Sequence, residues 1–84
     1  MNMISDDKLN QVLSQVFGVP VTEIREDSSP DTIPTWDSLT HINMIVALEA
    51  EFKISLSPED AMEMLSVKLI RMILKERGVQ NFKD

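Results

Sequence analysis

Apolar residues recur along this chain at three- and four-residue intervals, and that rhythm predicts helices. Leu9, Val12, Leu13, Val16 and Phe17 follow the i, i+3, i+4, i+7, i+8 spacing of one helix face. Ser5 is placed to cap this helix, and Asp6 and Asp7 suit the positive end of its dipole. Gly18 and Pro20 end it. A second helix begins at Asp37–Ser38, with Asp37 as its N-cap, and runs to about Phe52. Its core stripe is Met44, Ile45, Leu48 and Phe52. Leu39, Ile42, Val46 and Glu49 lie on a neighbouring face that is more apolar than a solvated face should be.

Ser57–Pro58–Glu59–Asp60 joins a cap, a proline for the first helical position and acids for the first turn. It starts a short helix that ends by about Leu65. Ser66 caps a last helix, Val67 to Arg77, stopped by Gly78. Val67, Ile70, Ile73 and Leu74 face inward, and Lys68, Arg71 and Lys75 share an outer face. Lys75 and Arg77 suit the negative end of that helix. The tail Val79–Asp84 is expected to fray.

Between the first two helices, from about Gly18 to Asp37, lies a connection with Pro20, Pro30 and Pro34 and no sustained period. A loop of that length is uncommon in a small domain unless it is functional or held by its own side chains. Val19, Val21, Ile24, Ile33 and Trp36 are the available anchors, and a short helical turn fits Ser29–Thr32. The expected fold is all-α: a small four-helix bundle of three main helices and one short one, with a long ordered loop between helices one and two.

Composition narrows the reading. The 84 residues suit a single domain, 1–84, and 43% hydrophobic content is enough for one core. Aromatic content of 5% and two glycines favour helices over a small β-fold. There is no cysteine to staple the chain. The net charge of −6 disfavours nucleic acid and anionic membrane as partners. No apolar run is long enough to span a bilayer, and Met1–Lys8 has no secretory-signal pattern. A cytoplasmic protein, with no membrane insertion, is the simplest expectation. The charge is unevenly spread: residues 1–63 carry twelve acids and three bases, residues 64–84 two acids and five bases. The acidic part suits a basic partner, although a merely solvated surface has the same look.

The catalytic inventory is thin. Ser38 and His41 stand i, i+3 on a helix, but no third residue or oxyanion hole accompanies them. Asp27, Ser29 and Asp31 begin like a calcium loop, yet Thr32 replaces the required glycine and Ser38 the bidentate glutamate. What remains is Trp36–Asp37–Ser38–Leu39, where a long loop delivers a serine to a helix N-terminus. Free N–H groups and the helix dipole stabilise a phosphate ester there. On position alone, Ser38 is an ordinary first residue of a helix.

The wider pattern resembles a known family. Thr35–Trp36–Asp37–Ser38–Leu39–Thr40–His41–Ile42–Asn43–Met44–Ile45 resembles the attachment motif of acyl carrier proteins, centred on Asp-Ser-Leu. Ala47–Leu48–Glu49–Ala50–Glu51–Phe52 is similar to the end of the family's helix two, Pro58–Glu59–Asp60–Ala61 to the start of helix three, and Ser66–Val67 to the start of helix four. The likeness covers about residues 5–77. It implies that a phosphopantetheinyl transferase, with magnesium and coenzyme A, joins 4′-phosphopantetheine to Ser38, and that acyl groups ride as thioesters on the arm's thiol. It implies a non-catalytic carrier, a monomer, that serves an acyl-loading ligase or acyltransferase and downstream synthase enzymes.

Asp37, Leu39, Val46 and Glu49 are the residues the resemblance suggests for partner recognition. Met44, Leu48, Leu56, Ala61, Met62, Met64 and Leu65 are candidates to line an acyl pocket, where flexible methionines could yield to a chain; plain core filling is the other reading. Asn43 and Ala50 stand where fatty-acid carriers often have Glu, and Trp36–Asp37 precedes the serine where those carriers more often have Gly-Ala-Asp. The first implies a weaker electrostatic grip on general fatty-acid enzymes, and Trp36–Asp37–Ser38–Leu39 followed by His41 resembles specialised carriers, in lipid, polyketide or sugar-acylation pathways, more than the general fatty-acid carrier. An unmodified helical protein–protein interaction module that retains only the fold is the alternative.

Overall fold

In the computed structural model, which describes residues 5–82, helices follow the apolar rhythm, and the last three begin behind a cap: α1 Ser5–Phe17, α2 Ser38–Phe52, α3 Pro58–Glu63 and α4 Val67–Glu76. Among the described residues there is no strand, and the fold is the expected all-α bundle. No helix among them is long and apolar enough to cross a membrane.

The caps are local chemistry. Asp37 accepts the Thr40 N–H at 3.0 Å, and the Thr40 hydroxyl accepts the Asp37 N–H at 2.9 Å. Ser57 and Asp60 form the same reciprocal pair at the start of α3. Ser66 accepts the Leu69 N–H at 3.1 Å at the start of α4. Gly18, at φ +70°, ends α1 in the left-handed region that favours glycine.

The core is the sum of the inward stripes. Leu9, Leu13 and Phe17 of α1 meet Met44 and Leu48 of α2, Met64, and Val67, Ile70, Ile73 and Leu74 of α4. Burying a side chain of this kind stabilises by about 1.5–3 kcal/mol. Ile45 and Phe52, read as core, are only partly buried against this cluster.

The long loop is ordered, held by four of its five expected anchors. Ile24, Ile33 and Trp36 are buried and Val19 is partly buried. Val21 is exposed instead, because it opens a one-turn 3₁₀ helix, Val21–Glu23, that buries none of its residues. Ser29–Thr32 forms a single hydrogen-bonded turn, with the Thr32 and Ile33 N–H groups both donating to the Ser29 carbonyl. The loop also completes α4: the carbonyls of Ser28 and Glu26 accept the Val67 and Lys68 N–H groups at 3.0 and 2.9 Å.

Long-range ties correct two further expectations and add to two others. Ser5 is buried in the first turn of α1, and its hydroxyl donates to the Gln80 carbonyl rather than serving as an N-cap. The tail is held there: the Ser5 N–H donates to the Asn81 carbonyl at 3.0 Å, and Phe82 packs on the core. The remainder of that tail, 83–84, lies outside the described residues. Arg71, on the outer face of α4, pairs with Asp6 of α1 at 2.9 Å and with Glu26 of the loop at 2.5 Å. Arg77 does more than complement the end of α4, because its guanidinium grips Asp60 of α3 at 2.6 and 2.9 Å.

Asp60 carries a pH prediction. The Arg77 guanidinium, and after it the Ser57 N–H, holds its carboxyl at about 2, below the ordinary 3.8. A carboxyl depressed by folding contributes stability that is complete above its unfolded value and is lost as pH falls toward the folded one. Wild type should therefore lose stability from about pH 4 downward more steeply than Asp60→Asn. Urea midpoints across that range check this, and parallel slopes would contradict it.

Candidate functional site

The junction of loop and α2 is built on Trp36. Its indole is buried and stacks on Phe17 of α1, with ring centroids 4.6 Å apart. The Thr35 hydroxyl donates to the Phe17 carbonyl at 2.6 Å, so two consecutive loop residues are fixed to the end of α1. Asp37 follows as cap, and the Thr40 N–H it accepts is the main reason its carboxyl lies below the ordinary range. Ser38 then opens α2 with its side chain exposed.

Ser38 faces an open cleft of about 510 Å³ lined by Pro30, Trp36, Asp37, Ser38, His41, Ile42 and Leu65. The loop contributes Pro30, Trp36 and Asp37 to this lining, the first turns of α2 contribute Ser38, His41 and Ile42, and the α3–α4 connection contributes Leu65. His41 is held from both sides: the Trp36 indole N–H donates to Nδ1 at 3.0 Å, and Nε2 lies 2.8 Å from the Ala61 carbonyl of α3. With both ring nitrogens engaged in these contacts, the ring is committed to a structural role rather than to activating Ser38 as a nucleophile.

Leu39, Ile42 and Val46 are 67%, 61% and 60% exposed and form one apolar stripe on α2 beside the serine. The structure thus brings Asp37, Ser38, Leu39 and Val46 onto one accessible end and face. Glu49 is half-buried, and its Oε2 accepts the Leu56 N–H at 2.9 Å, which ties α2 to the turn before α3.

The acyl-pocket candidates divide. Met44, Leu48 and Met64 are fully buried, and Leu56 and Ala61 are half-buried. Met62 and Leu65 are 75% and 53% exposed, because α3 ends at Glu63 and the connection that follows turns them outward. Of the seven, only Leu65 lines the cleft beside Ser38. The part played by Pro30 and His41 in that cleft was not foreseen. Ile42 was nearer to hand, since Leu39–Ile42–Val46 is visible in the sequence as an apolar stripe.

No family model matches the chain. Among solved structures, it is similar to a holo acyl carrier protein from Geobacter metallireducens, determined in solution by NMR. The two share 28% identity over 84% of this chain and 82% of that one, with a TM-score of 0.76. The chain thus shares its fold with an acyl carrier protein over most of both chains and carries the Asp-Ser-Leu motif at the start of α2, which together support the resemblance to the acyl carrier protein family.

Proposed function

We propose that the protein is a non-catalytic acyl carrier, a single cytoplasmic domain that bears 4′-phosphopantetheine on Ser38 and presents thioester-bound acyl groups to partner enzymes. One observation carries this reading: an exposed serine opens a 15-residue helix directly after an aspartate cap, on an ordered loop, facing a cleft. The residues fit the group. A phosphodiester at Oγ would meet the N–H groups of the first turn of α2 and the positive end of its dipole. The cleft walls of Pro30, Trp36, Ile42 and Leu65 offer apolar surface to the adjoining arm. When bound, the arm supplies the thiol that carries the acyl group. The chain itself supplies no cysteine.

Partner recognition belongs on the same end. Leu39 and Val46 would enter apolar contacts, Asp37 would meet the transferase, and Glu49 would offer charge to basic residues of the acyl-loading ligase or acyltransferase and synthase enzymes. Asn43 and Ala50 weaken that charge on α2, which favours a dedicated pathway over general fatty-acid synthesis. Incubation with coenzyme A, magnesium and a broad-specificity phosphopantetheinyl transferase should add one arm, read by intact mass. No gain with any transferase would leave the unmodified interaction module as the better reading.

The buried methionines supply a further expectation. Met44 and Met64, set among Leu48, Leu56 and Ala61, can give way to an acyl chain by changing rotamer. A medium-length acyl group on the arm should then raise the melting temperature above that of the unloaded holo protein. A temperature that stays level or falls would remove the pocket.

A further inference from the structure

The inward stripe of α2 begins at the serine. Ser38, His41, Met44 and Leu48 follow at three- and four-residue steps and so share one side of the helix. The first two line the open cleft, and the last two are fully buried. His41 stands at the boundary between cleft and core.

Its ring is fixed in one tautomer. Indole nitrogen is a donor only, so the Nδ1 that accepts from Trp36 carries no proton. The proton of the neutral ring is on Nε2, which donates to the Ala61 carbonyl. Neither end of this relay is loose. Trp36 is buried against Phe17, and α3 is anchored next to Ala61 by the Asp60–Arg77 pair. One hydrogen bond therefore joins α2 to α3 beside Ser38. Met44 and Met64 follow His41 and Ala61 by three residues and are fully buried.

Resting on the carrier reading, we propose that His41 is a specificity-determining residue that sorts acyl cargo by length. A short chain stays in the cleft among Trp36, Ile42 and Leu65 and leaves the His41–Ala61 bond intact. A long chain reaches Met44, Leu48 and Met64 only when that bond breaks, so the worth of the bond is subtracted from the gain of burying the chain. This places the choice of cargo partly on the carrier and not wholly on its enzymes.

The test uses holo protein labelled with ¹⁵N and, at the methionine methyls, with ¹³C, loaded with butyryl or decanoyl groups after intact mass has shown the arm. In wild type, butyryl should leave the Trp36 indole and His41 ring resonances in place, and decanoyl should shift both. In His41→Ala, decanoyl should raise the melting temperature above that variant's own holo form by more than it does in wild type. The expected excess is roughly 4–8 °C, the shift that about one hydrogen bond gives in a domain of this size.

Decanoyl that moves the Met44 and Met64 methyls without moving the Trp36 and His41 signals would overturn the proposal. So would decanoyl that moves neither set, or equal temperature gains in the two proteins. Should His41→Ala not fold, the wild-type resonances decide alone. Absence of the arm by mass overturns the carrier reading and takes the sorting role with it, whereas failure after loading overturns the sorting role alone.

Discussion

Trp36→Ala is expected to cost about 3–5 kcal/mol of stability, the range for removing a large aromatic from a packed core. Three losses coincide at this position. The ring leaves a cavity against Phe17, the His41 Nδ1 loses its donor, and the loop loses the anchor nearest to Asp37 and Ser38. A domain of this size has about 5–15 kcal/mol in all, so the variant should melt on the order of 12 °C lower or more. Trp36→Phe separates the contributions. It keeps an aromatic ring against Phe17 but strands the His41 acceptor, and should cost about 1–3 kcal/mol. Trp36 is the chain's single tryptophan, so urea unfolding is best followed by circular dichroism. A loss below about 1 kcal/mol in Trp36→Ala would show that the loop is held by Ile24 and Ile33 without it.

The helices were legible because their signals are local. Asp37, Ser57 and Ser66 each act on an N–H three residues ahead, and Val67, Ile70, Ile73 and Leu74 repeat within two turns. The same locality exposed the serine and its cap. What could not be read joins residues that are distant in sequence. Arg71 meets Glu26 across 45 positions, His41 meets Ala61 across 20, and Arg77 meets Asp60 across 17. Arg71 and Arg77 each have an adequate local explanation, as a surface charge and as a helix-end charge, which hides the longer one. The cleft is hidden for the same reason. Pro30 and Leu65 line it only because the loop and the α3–α4 connection fold to either side of α2. Val21 shows the opposite error: an apolar residue read as an anchor that the 3₁₀ turn leaves in water.

The charge pattern also takes a place in the structure. The acids at Asp6, Glu26 and Asp60 meet Arg71 and Arg77 within the fold, so part of the acidic body holds the basic last helix in place. The charge left for partners on α2 is accordingly modest, since Glu49 also engages the Leu56 amide.

Ser38→Ala is expected to abolish loading completely while leaving the fold unchanged, because the side chain is exposed and the cap belongs to Asp37. The most direct measurement incubates wild type and Ser38→Ala side by side with coenzyme A, magnesium and a broad-specificity transferase, and weighs both intact. Circular dichroism of the variant shows that α2 is formed. The account predicts one phosphopantetheine on wild type and none on Ser38→Ala; an arm on the variant, or none on wild type, would contradict it.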